Sequence, residues 1–136
     1  MRFPALLFAI AVSSTCIAQV YRFGEPKGTG MHSVLNHIPS PDRFGGVKPV
    51  VMVGKAEMTV IWGDSGGGNE TAWKAKIVHR SSSTISGITT DIGTQGSAVM
   101  LFTIDTKRGF LYMSSHKEGE RMNGSSASSF VAKLEK

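Results

Sequence analysis

Residues 71–80 read Thr-Ala-Trp-Lys-Ala-Lys-Ile-Val-His-Arg, and this stretch decides the fold. Side chains of an extended chain alternate between two sides. Trp73, Ala75, Ile77 and His79 therefore fall on one side, and Lys74, Lys76 and Arg80 on the other. Apolar on one side and basic on the other is the signature of an antiparallel sheet with one wet face.

Working outward, the neighbouring runs are of the same kind. Val50 to Val53 is a short β-prone block, and Glu57 to Trp62 places Met58, Val60 and Trp62 on one face. Gly63 to Asn69 reads as the turn before the 71–80 strand, and Ser81-Ser82-Ser83 as the turn after it. Thr84 to Ile92 is a weaker strand with Gly87 inside it, read as a bulge. After a turn at Gly93 to Ser97, Ala98 to Ile104 is apolar on both faces and reads as the central strand. Asp105 to Gly109 is a hairpin turn, with the glycine in the left-handed position. Phe110 to Ser114 returns, Lys117 to Ser129 reads as a polar loop, and Phe130 to Leu134 closes the chain.

This gives an all-β class: a small antiparallel meander of about seven strands, forming a barrel or sandwich. The short turns favour an up-and-down barrel. Upstream, Gln19 to Pro49 is expected to be an irregular N-terminal arm, broken by glycines at 24, 28, 30, 45 and 46 and prolines at 26, 39, 41 and 49. Within it, Met31 to Ile38 is a candidate for one or two helical turns. The expected division is 1–18 signal peptide, 19–49 arm and 50–136 β domain.

Met1 to Ala18 carries the signal-peptide reading. Arg2 is the basic start, Phe3 to Val12 is an uncharged run too short to span a membrane, and Cys16-Ile17-Ala18 offers a cleavage site. Cleavage after Ala18 would leave 118 of the 136 residues, with no cysteine and 14 basic against 10 acidic side chains, net +4. A disulfide-free exported domain is expected to be secreted or periplasmic in a bacterium, with no stable membrane insertion after cleavage. No dense basic stripe is present, so no nucleic-acid partner is expected.

The most conspicuous motif is Gly63-Asp64-Ser65-Gly66-Gly67, which resembles the residues around the nucleophilic serine of chymotrypsin-like proteases. That chemistry needs a histidine base and an orienting aspartate upstream. His32, His37 and Asp42 are too close in sequence to be carried by that family's double barrel, and the chain is about half the required size. A glycine-rich hairpin turn is the simpler reading. The four histidines, His32, His37, His79 and His116, lack metal-site spacing, so no metal and no cofactor is expected.

Trp62, Trp73, Phe102, Phe110 and Tyr112 serve either as core or as the lining of a cavity. The candidate ligand-binding set is Trp62, Trp73, His79 and Tyr112, with no catalytic residue assigned. The functional expectation is an exported, non-catalytic binding protein for a small ligand or an envelope protein. One alternative is an interaction or inhibitor protein working through the 63–69 and 117–129 loops. Another is a small hydrolase using Ser65.

Overall fold

In a computed structural model, the alternation at 71–80 becomes one strand of a ten-stranded, wholly antiparallel sheet curved into a half-barrel. The structure describes residues 18–33, 36, 38–43, 46–63, 71–93, 96–119 and 124–136. The strands are β1 (Gln19–Arg22), β2 (Lys27–His32), β3 (Ser40–Arg43), β4 (Pro49–Val53), β5 (Glu57–Trp62), β6 (Thr71–Arg80), β7 (Thr84–Gly93), β8 (Gly96–Asp105), β9 (Phe110–Gly119) and β10 (Gly124–Lys133). From β4 to β10 they neighbour one another in chain order, the seven-strand meander expected from the sequence.

The 19–49 segment, expected to be an irregular arm, contributes strands to the sheet. Its strands are short and interrupted, yet β1 pairs with β4 and β2 pairs with β10, so the segment attaches to both ends of the meander. Between them Phe23 makes a bridge with Leu134, and its N–H donates to the Pro49 carbonyl at 2.9 Å. Gly24 N–H donates to the Lys133 carbonyl, and Glu135 N–H to the Arg22 carbonyl. This seam joins the first and last strands of the meander. Beyond it, β2 pairs with β3 instead of β4, so the curve stays open at the other end. Met31 and His32 belong to β2 and not to a helical turn.

The concave side is the core. Phe23, Val51, Met58, Val60, Phe102, Ile104 and Leu111 are all fully buried there. Gly87 is needed on this face for space: a Cβ at that position would stand 3.0–3.1 Å from the Met58 side chain. Phe130 faces Gly28 in register, and a Cβ on Gly28 would collide with the Ser129 and Phe130 backbone. The hairpin after β8 forms as expected, with Gly109 at φ +75° and the Asp105 carboxylate accepting from Lys107 and Arg108 N–H.

Two expectations need correction. The polar segment 117–129 is not one long loop: β9 extends to Gly119 and β10 begins at Gly124. Serine and glycine are weak strand formers, but β9 and β10 each have a neighbour on both sides, and backbone pairing outweighs propensity. Ser115 and Ser128 add a cross-strand hydroxyl hydrogen bond of 2.7 Å. The second correction concerns the bulge. The irregularity lies on β6, between Ile77 and His79, opposite Gly87 and not at it.

Candidate functional site

The four candidate binding residues do not share a face, and for His79 the bulge is the reason. Ile77 stands opposite Gly87, but His79 stands opposite Ser86 and Arg80 opposite Ile85. Gly87 and Ile85 are buried on the concave side and Ser86 is not. One extra residue at Val78 thus reverses the alternation. His79 joins the convex face and is exposed, while Arg80 moves to the side expected of His79 and donates to the Gly54 carbonyl at 2.6 Å. Tyr112 lies between buried Leu111 and Met113, so it too is convex. Trp62 and Trp73 stay concave, half-buried against the edge of the core. The structure keeps the two tryptophans together and places His79 and Tyr112 on the opposite surface.

At the open end the concave face changes character. Asp91 on β7, Ala98 on β8, Lys117 on β9, Ser126 on β10 and His32 on β2 are successive register partners across five strands. One pleat deeper, the row runs Thr89, Met100, Ser115, Ser128 and Gly30. Ser126 is buried, Lys117 and His32 are half-buried and Asp91 is exposed. Trp62 ends β5 and Trp73 lies near the start of β6, at this same end of the sheet.

Neighbouring strands are about 4.8 Å apart, so Asp91 and Lys117, two strands apart, are separated by roughly 10 Å along the sheet. That spacing leaves each charge available to a different group of one bound molecule. Among the described residues the ion pairs found are Lys48–Glu135 and Arg108–Asp105, and neither involves Asp91 or Lys117.

Sequence reasoning missed Asp91, Lys117 and Ser126. The signal was present: Leu111, Met113, Ser115 and Lys117 alternate without a break, and extending the alternation past Ser114 points Lys117 inward. The Asp64–Ser65 motif and His37 lie outside the described residues. Among the described residues no group of three or more His, Cys, Asp or Glu is placed to hold a metal ion. No helix there is long and apolar enough to cross a membrane. Compared with known protein families, characterised proteins and solved structures, the chain matches none.

Proposed function

We propose that this chain is an exported, non-catalytic binding protein that takes a small ligand at the open end of its concave face. One observation carries the reading. The same face that is packed with apolar side chains also presents Lys117, His32 and Ser126, and Trp62 and Trp73 stand on it at the same strand ends. Polar side chains gathered on a face that is otherwise apolar give a bound molecule both hydrogen-bonding and apolar surface to meet. The ligand implied has a flat apolar side for the indoles and hydroxyl or charged groups for the polar row.

The chain's two tryptophans, Trp62 and Trp73, are both at this end, so its indole fluorescence reads the site directly. Titration with neutral disaccharides, small dicarboxylates and short tryptophan-free peptides is expected to give a saturable shift with one class. That shift is expected to disappear in Lys117→Glu. No response to any class, or a response that Lys117→Glu leaves intact, would overturn the proposal. Export is tested separately by N-terminal sequencing of the cell-derived protein: a start at Gln19 is expected, and a start at Met1 refutes it.

A further inference from the structure

The convex face of β7, β8 and β9 is unusually poor in charge. Along these three strands it carries no Lys, Arg, Asp or Glu between Asp105 at one end and Glu118 at the other. What it carries instead is Ser and Thr with exposed apolar side chains. Val99 is 42% exposed, Leu101 40% and Tyr112 39%, with Val131 of β10 at 40%. Leu101 pairs with Ile88 and Tyr112 pairs with Val131, and the two pairs are diagonal neighbours across β8 and β9, where Leu101 faces Ser114 and Tyr112 faces Thr103.

Cations flank this strip. Lys74, Lys76 and, because of the bulge, His79 are exposed on the convex side of β6. Lys27 of β2 and Lys133 of β10 are exposed on the other side. None of these four lysines takes part in an ion pair among the described residues, although Glu57 is the register partner of Lys76. A second copy laid face to face on the strip would bring cationic flanks together, and like charges oppose that arrangement. An apolar centre between cationic margins matches a surface that is apolar beneath and anionic on top.

We propose that this convex strip docks on an anionic lipid surface. Leu101, Val99 and Tyr112 rest at the headgroup boundary, and the flanking lysines meet the lipid charge. The site is independent of the concave one, and its failure leaves the ligand reading untouched.

Co-sedimentation of the full chain with vesicles tests it, using phosphatidylcholine alone against equimolar phosphatidylcholine and phosphatidylglycerol. Pelleting is expected with the anionic vesicles only, and it should fall as salt is raised. Lys74→Glu with Lys76→Glu should weaken it by at least about 25-fold, at roughly fivefold per lysine. Leu101→Asp, at a position 40% exposed, should abolish it while the circular dichroism spectrum stays that of the wild type. The proposal is overturned by equal pelleting with neutral vesicles, by none with either, or by binding that Leu101→Asp leaves unchanged. It is also overturned if the wild type is a dimer that Leu101→Asp converts to a monomer, which would assign the strip to a second copy.

Discussion

The two ends of the concave face are built from the same strands and do opposite things. At the seam, Phe23, Ile104 and Leu111 are fully buried and the backbone of the first strand is tied to both β4 and the end of β10. At the open end, the same β8, β9 and β10 turn Ala98, Lys117 and Ser126 to the same side. The pleat does not change between the two ends; the residues written onto it do. Stability is therefore concentrated at one end, which frees the other to carry polar side chains that a small core could not otherwise include.

The sharpest way to break that contrast is to empty the seam. Phe23→Ala removes a fully buried ring that packs where the first and last strands meet. It is expected to cost about 3–5 kcal/mol, a large share of the roughly 5–15 kcal/mol that holds a domain folded. Urea denaturation followed by circular dichroism would show the midpoint collapse. A loss below about 1 kcal/mol would mean that the seam is not where the fold is held.

Next in size is Gly87→Ala. The new methyl would press on Met58, which is fully buried and has little room to give. Overpacking of this kind costs about 1–3 kcal/mol. Reduced backbone freedom in the unfolded chain returns about 0.4–1 kcal/mol. The net expectation is a loss of about 1 kcal/mol, and it should vanish when Gly87→Ala is made in a Met58→Ala background. Additive losses in the double variant would show that the two groups do not meet.

These residues also mark what the sequence could and could not reveal. Trp73, Ala75 and Ile77 were legible as one face because alternation is a local property, and so was the hairpin at Asp105–Gly109. The bulge at Val78 was not legible, because one inserted residue leaves no compositional trace, and it moved His79 to the wrong side of the site. Phe23 sat in a glycine- and proline-broken segment that looked irregular, and its pairing partners, Pro49 and Leu134, are distant in sequence. The polar row was hidden for a related reason. Serine-rich 125–129 has the composition of a loop, and only its neighbours on both sides make it a strand.

At the open end the expected stability effect is small. Lys117 is half-buried and makes no ion pair among the described residues. Lys117→Ala should change stability by no more than about 0.5 kcal/mol, measured by the same urea titration. A loss as large as that of Phe23→Ala would erase the distinction between the two ends and make Lys117 a structural residue.

The smallest effect belongs to the ion pair beside the seam. Lys48 donates to the Glu135 carboxylate at 2.6 Å, and this hydrogen bond, with the attraction of the carboxylate charge, raises the lysine above its ordinary 10.5. A lysine whose pKa is raised by folding stabilises the fold fully below its unfolded value. That contribution is lost as pH climbs through the higher folded value. The pair can therefore matter only up to strongly alkaline pH, and both partners are open to solvent, where water and salt screen them. Glu135→Gln should leave the urea midpoint at neutral pH unchanged within error. It should remove only the small part of the wild type's stability that is lost as pH rises through the raised Lys48 value. A clear loss at neutral pH would mean that the seam depends on charge at its rim. The backbone bonds of Phe23, Gly24 and Glu135 say otherwise, because they tie the same strands together without either side chain.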